Sequence, residues 1–563
     1  MSTPKVLILT GGYITPSEKS AWAALRKQVS QWRKSQHSWL EMKVKGVTAE
    51  PYVHAQLERR KSKSAAVKNY FAHSTNFSAP ELTEVVIATE LKRAGIPHQV
   101  STLEELFRSR KNADAKLNSV DCLFISTTLL RDLSELEPVI DYVKRPHLKI
   151  VVGGALTSIM GEKWNGHKDI DLVAVGYGEI VIEKIAEWIK SEYKAITAPE
   201  RGRLAELGLS TAVFSGVPEK RNLDFLPTPD WGHAEKIHGK RFSMIHYESV
   251  RGCPYRCAFC NYPNLFDDGV FRFKSAQRMA DEWEHYYKDL GVEYITCLDS
   301  LFTMPKKRLI DFCKELIKRE IKIKWICYAR AAHLCDDEVV LLMKQAGVVQ
   351  VQIGIESGSD RILQNMSKYS TTDENALGLQ KCREHGITSV VTLIVGFPGE
   401  TRQTVQQTLR FMKENPADFF FVATFSTRVV EVPILTAANR KEFGLWTMEN
   451  PYSVSPYWIH NTMRCDEAGE LARYLQQEII KQRASLDAAI FYGGILEFDP
   501  LTREELLNFQ KRALLGHPVI SLAFKVFNKF VDWCLKRDLD KFEQTRLQSL
   551  ESLRSPAVKK CSV

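Results

Sequence analysis

The segment Arg251-Gly-Cys-Pro-Tyr-Arg-Cys-Ala-Phe-Cys-Asn-Tyr-Pro263 sets Cys253, Cys257 and Cys260 at C-x3-C-x2-C spacing. Thiolates are soft anionic ligands. Three of them on one short loop can hold three irons of a [4Fe-4S] cube and leave the fourth iron open to a substrate or cofactor. A zinc site would want a fourth protein ligand close by, and three incidental cysteines would not explain why the loop follows directly on an apolar strand. The spacing therefore predicts an iron–sulfur centre. Cys122, Cys297, Cys313, Cys327, Cys335, Cys382, Cys465, Cys534 and Cys561 repeat no such spacing. Buried apolar thiols are the expectation for them, with Cys335 and Cys465 in loops near the mouth of the site.

The elements that must hold this loop are legible as an αβ alternation over residues 241–430. Strands are expected near 243–250, 293–298, 323–329, 349–355, 388–395 and 419–425, with helices at 275–290, 305–319, 336–346, 372–385 and 401–414. Six βα units in succession predict a barrel or partial barrel with its chemistry at the C-terminal ends of the strands. At those ends stand Asp299, Arg330, Gly354-Ile-Glu-Ser-Gly358 and Gly396-Phe-Pro-Gly-Glu400. Tyr262, Tyr328, Trp446, Tyr457 and Trp458 are candidates to line a cavity there, or to pack in the core.

Residues 1–195 alternate in the manner of a doubly wound, Rossmann-like parallel sheet, so the fold class is α/β. Strands are expected at 5–10, 97–100, 121–127, 149–152 and 171–175, and helices at 79–94 and 133–143. Glycine turns follow the fourth and fifth strands, in Val151-Val-Gly-Gly-Ala-Leu-Thr157 and Val173-Ala-Val-Gly-Tyr-Gly-Glu179, where backbone can approach a ligand closely. By themselves such turns suit a flavin or no ligand equally well. Residues 14–78 form an insertion, expected to be helical, with Trp22, Trp32 and Trp39. A Pro-rich linker is expected at 196–240, and a mostly helical region covering the substrate at 431–563. Within that region, Pro518 to Lys536 carries an apolar stripe that suits docking on the barrel or lying on a membrane surface.

The 563 residues are 44% hydrophobic and 26% charged, which excludes a disordered or fibrous chain. No apolar run is long enough to span a membrane, and the N-terminus does not read as a secretory signal, so the expected location is the cytoplasm. Net charge is 77 − 68 = +9, and the insertion at 14–78, with 12 Lys/Arg against 4 Asp/Glu, holds +8 of it. That segment is either a solvated basic helix pair or a patch for an anionic substrate, carrier or nucleic acid.

The cysteine segment resembles the motif of the radical S-adenosylmethionine (SAM) enzymes, and the six βα units resemble their partial barrel. The resemblance implies that the open iron chelates SAM and that one electron from the cluster cleaves it to methionine and a 5′-deoxyadenosyl radical. It implies SAM contacts from Gly354, Glu356 and Ser357 on the ribose side, Gly396 and Pro398 on the adenine side, and Arg330. Asp299 is a weaker polar candidate. The order of domains over residues 1–430 resembles the cobalamin-binding members, which implies cobalamin contacts from Gly11, Gly12, Gly153, Gly154, Thr157, Gly176, Gly178 and Glu179. Thr10-Gly-Gly-Tyr13 stands where that group often has Asp-x-His-x-x-Gly, so no histidine is expected as lower cobalt ligand. The implied reaction is methyl transfer to an unactivated carbon of a small molecule or peptide, with flavodoxin or ferredoxin as electron donor. Cyclisation, ring contraction or rearrangement without methyl transfer is an alternative, and an RNA methylthiotransferase another. Against the last, Cys122 is the lone cysteine ahead of the barrel, and nucleic acid is not an expected partner.

Overall fold

A computed structural model describes residues 5–12, 39–73, 79–130, 133–160, 166–194, 211–266, 268–427, 432–450, 453–491 and 500–554. Trp22, Trp32 and Cys561 lie outside the described residues.

The first domain is a six-stranded parallel sheet of β1 (Val6–Thr10), β2 (His98–Thr102), β3 (Cys122–Ser126), β4 (Lys149–Gly153), β5 (Leu172–Gly176) and β6 (Ala212–Gly216), in the order β2-β1-β3-β4-β5-β6. Consecutive strand residues point to opposite faces, and both faces are covered. Leu7, Leu9, Leu123, Ile125 and Val152 pack on one side. Val6, Ile8, Cys122, Phe124 and Val151 pack on the other. Strand order reverses between β1 and β3, so their C-terminal ends form the crevice where open α/β sheets accept ligands. The expected linker at 196–240 is shorter than its sequence suggests. Ala212–Gly216 is the sheet's edge strand, parallel to β5. Its Gly-containing, partly buried pattern hides it from a periodicity reading.

The second sheet has seven parallel strands in the order β18-β14-β13-β12-β11-β10-β7. They are β7 (Met244–Tyr247), β10 (Tyr294–Cys297), β11 (Lys324–Ala329), β12 (Val348–Glu356), β13 (Thr388–Val395), β14 (Phe419–Thr424) and β18 (Leu486–Asp487). A ribbon of β8 (Val250–Arg251) and β9 (Arg272–Phe273) follows β7. Six of the seven strands lie where the sequence places them. β18 is two residues long and buried, and no periodicity could reveal it. Residues 431–563 open with a three-stranded antiparallel sheet, β15 (Trp446–Asn450), β16 (Ser453–His460) and β17 (Met463–Arg464), before becoming helical.

The described part of the basic insertion is helical over Trp39–Lys61 and Ala65–His73, but it is not a solvated pair. Ala55, Val67, Tyr70 and Phe71 pack with Val390 and Phe419 of the barrel and with Leu506, Leu507 and Phe509 of the C-terminal region. Lys43 is buried and ion-paired to Asp532 at 2.8 Å and Glu470 at 3.4 Å. Burial of these apolar faces, not the charge count, sets where the two described helices sit.

Candidate functional site

The cysteine loop leaves β7 and is pinned from three sides. Asp299, wholly buried just beyond β10, accepts from the Ser249 N–H at 2.6 Å, the Val250 N–H at 2.7 Å and the Ser249 hydroxyl at 2.6 Å. The Ser300 hydroxyl donates to the Gly252 carbonyl at 2.8 Å. The Ala258 N–H donates to the Met366 carbonyl at 2.8 Å, and the Ile434 N–H donates to the Ala258 carbonyl at 2.9 Å. Asp299 is therefore a staple of the loop rather than a ligand contact. Burial pushes its carboxyl up to about 6 against the lowering effect of Arg308.

Cys253, Cys257 and Cys260 are free thiols. Burial pushes Cys253 up and Cys260 up to about 11, so both need a metal to deprotonate them at neutral pH. Two cations stand beside the loop. Arg330 brings Nη1 to 3.8 Å from Cys257 Sγ and lies over the Tyr255 ring at 4.0 Å. Its buried Nη2 has no hydrogen-bond partner. Lys368 Nζ lies 5.7 Å from the Phe259 ring centroid. Three soft donors on one loop, with the buried, unpartnered Nη2 of Arg330 beside them, fit an anionic iron–sulfur cluster.

At the end of β12 the register with β13 shifts between Gly354 and Glu356, and Glu356 adopts φ = +62°. A left-handed glutamate is strained, and here the strain turns its side chain back across the strand end. Lys368 Nζ donates to Glu356 Oε1 at 2.8 Å. A Cβ on residue 354 would come within 2.7 Å of that ammonium and collide with the carboxylate, so a side chain there would displace the Glu356–Lys368 pair. Ser357 is wholly buried. Its hydroxyl pairs with Thr408 at 3.3 Å and accepts from the Ser359 N–H at 3.2 Å. It ties the strand end to the helix Arg402–Glu414.

The turn after β13 is held in the same manner. Gly396 has φ = +91°, and a Cβ there would come within 2.5 Å of Ala468. Its N–H donates to Glu400, whose carboxyl burial pushes up to about 8. His460 Nε2 bonds the Gly396 carbonyl at 3.2 Å, and its ring stacks on Trp458. Asn365 donates to the Pro398 carbonyl at 3.0 Å. Trp458 is core, Tyr457 donates to Asp538, and Cys465 is buried, so none of these lines a mouth. Cys335 donates to the Ala331 and Glu374 carbonyls. Tyr328 is part-exposed on β11. His460 carries no sequence signal because it reaches the site from a distant segment, and Lys368 and Asn365, which follow β12 closely, because no motif or spacing marks them.

In the first domain, Gly11, Gly12, Gly153, Gly154, Gly176 and Gly178 do share one edge of the sheet. For several, the neighbouring chain explains the glycine. A Cβ on Gly12 would approach the Leu129 carbonyl at 2.6 Å, one on Gly154 the Thr127 N–H at 3.1 Å, and one on Gly176 the Gly216 carbonyl at 2.5 Å. Gly178 faces open space. Thr157 donates to the Gly154 carbonyl at 2.8 Å. Glu179 does not face the crevice. Both its oxygens bind the Arg251 guanidinium, at 2.6 and 3.0 Å, and Arg251 also donates to Glu248 at 2.9 Å. This buried pair joins the β5 turn to the residue two positions before Cys253. An exposed leucine, Leu129, follows β3 at the crevice, and the described residues of the loops after β1, β3, β4 and β5 include no histidine. A glycine-bordered edge of this kind, with Thr128 and Leu129 exposed, leaves room for a broad, flat group, and its described loop residues offer no imidazole.

Residues 247–412, which contain the cysteine loop and the two glycine-bounded strand ends, match the family model of the radical SAM superfamily. The chain carries a radical SAM domain. Anaerobic magnesium-protoporphyrin IX monomethyl ester cyclase of Rubrivivax gelatinosus is 28% identical over 267 residues, covering 44% of this chain and 45% of the relative. The chain spans about half the length of the curated relatives it matches. Two solved structures share the fold beyond the radical SAM domain. One is the radical SAM methyltransferase TsrM of Kitasatospora setae, solved with cobalamin and a [4Fe-4S] cluster: 17% identity, TM-score 0.56, covering 77% of this chain and 97% of that one. The other is the cobalamin-dependent radical SAM enzyme OxsB: 15% identity, TM-score 0.56, covering 86% and 80%.

Proposed function

We propose that the protein is a cobalamin-dependent radical SAM enzyme that transfers a methyl group to an unactivated carbon of a small molecule or peptide. The observation that carries this reading is the Arg251–Glu179 pair, which ties the cysteine loop to the glycine edge of the first domain. Two cofactor sites held in fixed register are what a reaction shared between them requires. When bound, a [4Fe-4S] cluster with SAM would supply a 5′-deoxyadenosyl radical and the corrin a transferable methyl group. Cys253, Cys257 and Cys260 would ligate the cluster. Arg330 and Lys368 would balance its charge, and Gly354, Glu356, Gly396 and Pro398 would border SAM. The edge of Gly11, Gly12, Gly153, Gly154 and Gly178 would border the corrin, with no histidine below cobalt. The buried strand ends exclude water from a site where a primary radical would be quenched. Electrons would come from flavodoxin or ferredoxin.

Packing of the insertion's described helices on the barrel leaves less of the basic segment for RNA, which disfavours the methylthiotransferase reading. The cyclase relative keeps a second reading open, radical ring formation without methyl transfer. Anaerobic reconstitution with iron, sulfide and hydroxocobalamin, followed by metal counting, tests the cofactors. About four irons and one cobalt per chain are expected, and replacing the three cysteines with alanine should abolish iron binding. Iron without cobalt would remove methyl transfer. A product heavier by one methylene separates methylation from cyclisation.

A further inference from the structure

The C-terminal helix Pro518–Arg554 divides along its length. From Val531 onward one face is buried, through Val531, Cys534, Leu535, Leu539 and Phe542. Polar contacts lock that half in place: Tyr457 donates to Asp538 at 3.1 Å, and Arg464 donates to Glu543 at 3.0 Å. The first half turns large apolar side chains outward. Val519 is 68% exposed, Leu522 62%, Val526 62% and Trp533 61%. Their spacing of i, i+3, i+7 and i+14 lines them up in one stripe, about 21 Å long at 1.5 Å per residue.

Over residues 518–537 the exposed charges are basic. Lys525, Lys529, Lys536 and Arg537 are all exposed, and Arg537 also meets Asp538 at 3.2 Å. The single acid among residues 518–537, Asp532, is ion-paired at 2.8 Å to the buried Lys43 of the insertion. The Arg537 guanidinium lies 5.5 Å from the Trp533 ring.

We propose that this stripe binds the surface of an anionic lipid bilayer, with the helix lying in the headgroup plane. Apolar residues enter the acyl boundary, an aromatic ring beside a cation sits at headgroup level, and lysines meet anionic lipid. No helix among the described residues is long and apolar enough to cross a membrane, so the contact is peripheral. A second copy of the chain fits less well. One helix face about 21 Å long and 10 Å wide offers roughly 200 Å², against about 800 Å² per partner in a stable dimer. Paired copies would also bring the two lysine rows together.

Flotation of the full chain with vesicles tests this without any cofactor. The chain should float with phosphatidylcholine vesicles containing phosphatidylglycerol, and about tenfold less with phosphatidylcholine alone. Leu522→Glu with Val526→Glu should lower binding about tenfold, with circular dichroism unchanged because both side chains are exposed. Lys525→Glu with Lys529→Glu should do the same through charge, and added salt should weaken the wild type. Failure of the wild type to float with anionic vesicles overturns the proposal. So does a dimer by light scattering that the leucine–valine variant dissolves while vesicle binding is absent.

Discussion

Two histidines at the site are held neutral by their surroundings. His333 places Nδ1 at 2.8 Å from the Thr303 hydroxyl and Nε2 at 3.0 Å from the Tyr255 hydroxyl. Burial, then the nearby Arg330, lowers its pKa to about 4, and burial lowers His460 to about 4 as well. Both folded values lie below the ordinary 6.5, so the unfolded chain takes up these protons first. Their contribution is complete above pH 6.5 and is lost as pH falls from 6.5 towards 4. Each ring should cost about 2 kcal/mol of stability by pH 5. Urea unfolding at pH 7.5 and pH 5 checks this, and His460→Gln should remove about half of the difference attributable to the pair. Neither residue carried a signal in the sequence. A histidine's neighbours, which set its titration, come from segments that only folding brings together.

At the scale of elements, the loop of Cys253, Cys257 and Cys260 was legible because its function lies in local spacing. What holds it was less legible. Asp299 ends a strand, where the sequence allows a polar contact to ligand or a loop cap about equally; its two oxygens meet two loop N–H groups and a hydroxyl, which makes it the cap. Arg308 donates to the same Ser249 hydroxyl at 3.1 Å. Asp299→Ala would leave those donors buried without their acceptor and the buried Arg308 without the nearby carboxylate charge, a loss of about 3 kcal/mol. Iron retained after anaerobic reconstitution should fall well below the wild-type content, whereas Asp299→Asn should retain an intermediate amount. An unchanged iron count in the alanine variant would show that the loop holds its shape without the staple. The short strands were missed for a related reason: Leu486–Asp487 and Ala212–Gly216 are strands through their neighbours' hydrogen bonds, not through any pattern of their own.

The whole molecule is tied together by pairs far apart in the chain. Arg251 meets Glu179 across the domain boundary, and Asp230 meets Lys92 at 2.5 Å. His233 meets His98 at 3.0 Å, and the insertion helices seat on the far edge of the barrel. Glu179→Gln removes one of the two carboxylates that meet the buried Arg251 guanidinium; Glu248 remains, so the loss is that of charge-assisted hydrogen bonds, about 2 kcal/mol. Calorimetry should show the first domain melting ahead of the barrel in this variant, where the wild type melts in a more cooperative transition. Coincident melting in both would place the domain coupling in the linker contacts instead.

The sequence by itself determined the α/β class, both parallel sheets in outline, the three cysteines and the strand ends that carry the glycine turns. Those features follow from side-chain period and from spacing within about ten residues, and tertiary packing does not alter them. Only the tertiary structure decided what each turn residue does. Glu179 binds Arg251 rather than facing the crevice, the Ser357 hydroxyl meets Thr408 on a neighbouring helix, and the described helices of the basic insertion pack on the barrel. The physical reason is that a buried carboxylate, hydroxyl or lysine takes whichever partner the fold brings within 3 Å or so, and that partner lies in a segment with no sequence proximity to announce it.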